Sequence, residues 1–203
     1  MIPYRSLLVA AAMFFVMFSP WTSPYVNFWY MMTATAVILS TISLTCCRET
    51  LKELHFSLCS IIAGLGLAVI LWAIFWLGDK VSSWLFGFAR PQVDMIYSMK
   101  NGNDSVVIAV LLLFIIGPGE EIFWRAFVQR RMMAHWGANI GFIAATACYA
   151  LVHIWSFNFM LIMAALVAGC CWGFLYRLFP KSLPVLIVSH AVWDVCAFIL
   201  FPI

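Results

Sequence analysis

Charge is scarce in this chain. Only 9% of its 203 residues are Asp, Glu, Lys or Arg, while 66% are hydrophobic; soluble domains carry roughly 25% charged residues. That excludes a water-facing globular fold and makes the chain a polytopic membrane protein. The net charge is only +3 and its cations sit in short clusters between apolar runs, so no nucleic-acid partner is expected. Cysteine is present but unpatterned. The seven cysteines (Cys46, Cys47, Cys59, Cys148, Cys170, Cys171, Cys196) are odd in number, lie in apolar runs and include no C-x-x-C. A disulfide framework is excluded by that usage, and the thiols read as small packing residues. Internal repeats and low-complexity stretches are also lacking.

What remains is a series of apolar runs near the roughly 20 residues needed to cross a bilayer core. They cover Ser6 to Trp21, Tyr25 to Cys47, Phe56 to Gly78, Ser105 to Gln129, Ala138 to His153, Phe157 to Tyr176 and Leu183 to Phe201. The expected fold is an all-α membrane bundle of about seven transmembrane helices. The first run resembles a signal peptide but is followed by no small-residue cleavage site, so it reads as an uncleaved span. With the N-terminus cytoplasmic, Arg5, Arg48, Lys52, Arg130, Arg131, Arg177 and Lys181 fall on one side and Lys80, Arg90 and Lys100 on the other. The positive-inside rule favours that orientation, with an external C-terminus and a multi-pass location, the cell inner membrane being expected. Residues Asp79 to Asp104, rich in aromatics and charges, read as an interfacial segment. The chain divides into residues 1–104, with the first spans and this segment, and residues 105–203, within one integral membrane domain.

Against that background, "IIGPGEEIFWRAF" (Ile115 to Phe127) places three charges inside an apolar run. A charge at mid-bilayer costs about 2.5 to 3.5 kcal/mol even on lenient scales, so such residues usually face a cavity and serve a function. On a helix Glu121 and Arg125 are four residues apart and pair, leaving Glu120 free among Phe123, Trp124 and Phe127. The Gly117-Pro118-Gly119 step is expected to loosen or break the helix, making room for water or a substrate backbone. His153 and His190 add two imidazoles on other spans. Asp194, four residues after His190, shares its face and is expected to accept from the ring N–H. A free glutamate, two histidines and an aspartate on three spans outline a water-activating site. Counting about 1.5 Å per residue from the cationic loops puts Glu120 and His190 at similar depth. His153 comes out deeper, so its helix must tilt, start later or break.

These residues resemble the CPBP family, the CAAX-protease and bacteriocin-processing group of glutamate-type intramembrane proteases. Its signature of EExxxR, aromatic-xxx-H and HxxxN on separate helices corresponds to Glu120-Glu121 with Arg125, Tyr149 with His153, and His190 with Asp194. The chain departs from the family pattern at Ala126, commonly Gly, at Tyr149, commonly Phe, and at Asp194, often Asn. The resemblance covers Ser105 onward and makes 105–203 the catalytic core. It implies hydrolysis of peptide bonds in membrane-anchored or lipidated protein or peptide substrates. Glu120 and His153 would activate water and His190 would stabilise the oxyanion; Glu121 and Asp194 complete the catalytic set, and Arg125 and Tyr149 support it. Water would enter by a polar cavity opening to the cytoplasm.

No cofactor is required on this reading. A zinc-dependent version of the same protease is the alternative, with Glu120, His153, His190 and Asp194 as ligands; against it, no H-E-x-x-H pair exists and the two glutamates diverge. Membrane histidines and carboxylates also build proton-coupled transporters, and a non-catalytic immunity or scaffold protein would keep the same fold.

Overall fold

The computed structural model describes residues 2–203, and within them the architecture is helical throughout. Six helices are long and apolar enough to cross a membrane: α2 (Phe28–Cys46), α4 (Leu58–Leu85), α6 (Ser105–Trp136), α7 (Ala138–Ser156), α8 (Phe159–Leu178) and α9 (Leu183–Leu200). The first predicted span is the shorter helix α1 (Tyr4–Phe18), apolar but of 15 residues. At 1.5 Å per residue it extends about 22 Å, less than a full bilayer core. Two further helices lie between spans, α3 (Glu49–Glu53) and α5 (Ala89–Ser98).

Helix starts follow local chemistry. Asn27 caps α2 by accepting from the Trp29 and Tyr30 amides, Asp104 caps α6 through Val106 and Val107, and Ser57 with Ser60 forms a reciprocal capping box on α4. Each side-chain oxygen satisfies amide donors that the first helical turn leaves unpaired. Helix α4 runs on to Leu85 rather than ending near Gly78, because nothing in "GDKVSSWL" breaks it. Asp79 is therefore a buried residue on α4 and not part of a loop. Helix α5, within the segment expected to lie at the interface, has the strongly amphipathic sequence ARPQVDMIYS.

The Gly117-Pro118-Gly119 step does not break α6. A π-helical turn at Leu112–Ile116 precedes it, α-helix resumes at Gly117–Phe123, and a second π turn covers Trp124–Gln129. Proline lacks the amide that a regular ladder would use, and the wider turn before it accommodates that loss. The glycines serve close approach instead. A Cβ on Gly117 would stand 2.8 Å from the Ala191 Cα, and one on Gly119 would stand 3.0 Å from the Ala36 carbonyl oxygen. These absent side chains draw α9 and α2 against the stretch of α6 that carries the glutamates.

Contacts between helices define two ends of the bundle. At one, Arg130 pairs with Glu53 and donates to Tyr176, Arg131 donates to the Cys46 carbonyl, and Arg177 donates to Asn139. At the other, Trp29 donates to the Met99 carbonyl, Lys100 to the Phe198 carbonyl, and Asn158 to the Gln92 carbonyl. The last contact, with the Met160 amide donating to Gln92 Oε1, fastens α5 to the start of α8.

Candidate active site

The close crossing at Gly117 and Ala191 brings Glu120 and Glu121 of α6 against His190 of α9. His190 Nδ1 lies 2.7 Å from Glu121 Oε1. A carboxylate only accepts, so Nδ1 carries the hydrogen and the ring orientation is set from α6. Its Nε2 then lies 4.0 Å from Glu120 Oε2 and 3.6 Å from Asp194 Oδ2. The expected hydrogen bond within α9 is thus replaced: Glu121, not Asp194, accepts from the imidazole, and 3.6 Å is beyond hydrogen-bonding distance. The indole of Trp172 (α8) stacks on His190, with ring centroids 3.9 Å apart, and its Nε1 donates to Ser189 Oγ.

Glu121 and Arg125 are the predicted pair four residues apart, with Arg125 Nη1 3.3 Å from Glu121 Oε1. The angle is not that of a hydrogen bond, and both Arg125 terminal nitrogens lack one. Aromatic faces compensate: the guanidinium lies 4.6 Å from the Tyr149 ring centroid and 5.5 Å from that of Trp172. Two almost wholly buried charges, at 0% and 2% exposure, therefore neutralise one another between rings in low dielectric. Removing either would leave the other uncompensated.

Tyr149 (α7) links the glutamate to the first histidine. Its hydroxyl donates to Glu120 Oε2 at 3.0 Å. Its backbone carbonyl accepts from His153 Nδ1 at 2.9 Å, so His153 Nε2 remains available to a ligand. The last turn of α7, Val152–Ser156, tightens to a 3-10 helix. Phe14 and Phe18 of α1 pack their rings on His153 at 5.1 and 5.3 Å between centroids.

Glu120, Tyr149, His153, His190 and Asp194 all line one cavity of about 430 Å³. Glu121 and Arg125 do not; they lie behind His190 and hold it. Most of the remaining wall is apolar, including Phe28, Trp29, Met32, Phe75 and Trp193. The cavity also reaches Asp79, Ser82, Phe86 and Tyr97. It therefore extends toward the end of the bundle bearing Arg90 and Lys100, whereas the water route expected from the sequence opened on the side of the cationic loops.

Residues 102–196, which include every residue of this site from Glu120 to Asp194, match a family model described as type II CAAX prenyl endopeptidase Rce1-like. This segment is Rce1-like. The match is consistent with the CPBP and CAAX-protease group that the EExxxR, YxxxH and HxxxD motifs resemble. Neither a curated protein nor a solved structure matches the chain. With six helices long and apolar enough to cross a membrane, the chain is an integral, multi-pass membrane protein, and its residues 102–196 are similar to a family of peptide hydrolases.

The four residues named as ligands for the zinc alternative are not arranged as a shell. Among the described residues no group of three His, Cys, Asp or Glu is spaced to hold a metal ion, and zinc–ligand bonds are near 2 Å. Sequence reasoning did not anticipate Trp172, Phe14 or Phe18 at the site. Nothing in their local sequence separates them from ordinary packing aromatics, and only the helix arrangement brings them to the imidazoles.

Proposed function

We propose that the protein is an intramembrane endopeptidase that hydrolyses peptide bonds of membrane-associated or lipidated substrates, with Glu120 as the base. One observation carries the reading: a buried carboxylate from α6 and two imidazoles from α7 and α9 share the wall of a single cavity. The 4.0 Å between Glu120 Oε2 and His190 Nε2 accommodates one water bonded to both at about 2.8 Å.

Glu120 takes a proton from that water, which His153 Nε2 helps to orient. The oxygen attacks the scissile carbonyl carbon, and the carbonyl oxygen gathers negative charge. His190 donates to it from Nε2, which requires the ring to carry both protons, one of them committed to Glu121. Glu120 then passes its proton to the departing amine. Tyr149 fixes the Glu120 carboxylate, while Glu121 and Arg125 fix His190 and position it without touching substrate. Asp194, 3.6 Å from His190 Nε2, favours the doubly protonated ring. This scheme needs no metal. The cation distribution supports a cytoplasmic N-terminus, and in that orientation the cavity's far end faces the external side.

The deciding experiment compares membrane proteomes of cells carrying the wild-type protein and Glu120→Ala. A set of C-terminal or membrane-segment cleavages present only with wild type is the expected result; identical proteomes would refute hydrolysis.

A further inference from the structure

After the π turn Cys196–Leu200 the chain leaves helical conformation, with Phe201 at φ −137°, ψ 66°. Residues Phe201–Pro202–Ile203 then cross the rim of the cavity as a short strap. Three side chains from two other helices hold this strap by its backbone. Trp72 Nε1 (α4) donates to the Phe201 carbonyl at 2.9 Å. The Ile203 amide donates to Tyr97 Oη (α5) at 2.9 Å. Arg90 Nη1 (α5) donates to the Ile203 backbone oxygen at 3.2 Å.

Pro202 has no amide to satisfy, so both N–H groups in the strap are paired, that of Phe201 with the Cys196 carbonyl at 2.7 Å. The Ile203 side chain enters the cavity lining, whereas Phe201 and Pro202 stay exposed. A groove that grips a non-helical backbone through fixed donors and acceptors and takes one apolar side chain inward reads little of the sequence it holds. Any segment of that backbone shape with an apolar residue in the Ile203 position satisfies it equally.

Arg90 is built for such a role. Its Nε and Nη2 are committed to Asp94 Oδ1 at 2.9 and 2.6 Å, leaving Nη1 for the strap, with Asp79 Oδ1 at 3.5 Å behind it. Both carboxylates hold the guanidinium in place whether or not the strap is present. The neighbouring Tyr97 phenol, its pKa raised by burial, stays a neutral hydrogen-bonding group through physiological pH.

We propose that Trp72, Arg90 and Tyr97 form a docking site for a non-helical peptide backbone carrying an apolar side chain, at the rim of the catalytic cavity, and that residues 201–203 occupy it as a displaceable strap. The inference rests on the peptidase reading for the purpose of the site, but binding there is independent of cleavage. Substrate must compete with the strap for these three side chains.

The test uses the full chain in detergent micelles, with Glu120→Gln as background so that nothing is cleaved. The probe is a fluorescein-labelled peptide amide copying the strap, Phe-Ile-Leu-Phe-Pro-Ile, and binding is followed by fluorescence anisotropy. Ile203→Asp, which expels the strap's side chain from the apolar wall, is expected to tighten probe binding about tenfold. Adding Arg90→Met or Tyr97→Phe to it is expected to lose most of that gain, since each removes one backbone hydrogen bond. Equal affinity with and without Ile203→Asp, or affinity indifferent to Arg90→Met and Tyr97→Phe, would overturn the proposal. Should Ile203→Asp not fold, hydrogen exchange on the unaltered strap decides it: saturating probe must accelerate exchange of the Ile203 amide, and unchanged exchange counts against displacement. Failure here leaves the cleavage experiment untouched, and failure of cleavage leaves this binding result standing.

Discussion

His190 Nδ1 and Glu121 Oε1, from residues 69 positions apart in sequence, stand 2.7 Å apart where α9 meets α6. This contact, rather than either glutamate alone, explains why two adjacent carboxylates are buried together. Adjacent helical positions point about 100° apart, so Glu120 and Glu121 cannot perform the same task. One faces the cavity and the other grips the imidazole from behind. Glu121→Gln keeps an acceptor for Nδ1 but removes the charge facing Arg125; Glu121→Ala removes both. Activity on a reporter substrate is expected to fall about tenfold for Gln and by two orders of magnitude or more for Ala, and the Ala variant should lose several kcal/mol of stability by leaving Arg125 buried and unpaired. Thermal unfolding in detergent separates the two losses, and equal activity of Gln and Ala variants would contradict the positioning role.

The hydrogen bond from Tyr149 to Glu120 yields a second prediction. Glu120→Ala removes the base, and a drop of 10² to 10⁴ is the usual size of that effect. Tyr149→Phe removes only the hydroxyl, restoring the residue more common in the resembled family. It should lower kcat roughly tenfold with little change in KM, because the hydroxyl orders the base and does not touch substrate. A Tyr149→Phe variant defective mainly in KM would show that the hydroxyl meets substrate directly.

Much of this was legible in the sequence, and the limits have physical causes. Spans, and the charges out of place within them, depend on local composition, which a sequence states directly. Glu121 and Arg125 pair because they are four residues apart on one helix. The partner of His190 was misread for the same reason: Asp194 is the neighbour that helical spacing offers, while Glu121 reaches it only through the close crossing at Gly117 and Ala191. Gly117-Pro118-Gly119 looks like a helix breaker because the π turn that absorbs the proline has no sequence marker. The direction of the cavity follows from how α4, α5 and α8 meet at one end, which no single span encodes.

That crossing is itself testable. A Cβ at Gly117 would fall 2.8 Å from the Ala191 Cα and 3.0 Å from its nitrogen, both backbone atoms that cannot rotate away. Gly117→Val should therefore push α9 off α6, costing about 1 to 3 kcal/mol by overpacking, and should lower activity more than stability by lengthening the Glu121 to His190 contact. The compensating change is not available at Ala191, because the clash is with backbone. Wild-type activity in Gly117→Val membranes would refute the claim that this approach sets the site.

Metal dependence separates the favoured chemistry from its nearest alternative. His190 Nε2 lies 4.0 Å from Glu120 Oε2 and 3.6 Å from Asp194 Oδ2, and His153 Nδ1 is already committed to the Tyr149 carbonyl. Two donors on one tetrahedral zinc at about 2 Å stand about 3.3 Å from each other, so these separations do not decide the matter and a chelation assay does. Prolonged chelation followed by activity assay is expected to leave hydrolysis intact, with Glu120→Ala inactive in parallel. Loss of activity on chelation, restored by stoichiometric zinc, would transfer the role of water activation from Glu120 to the metal.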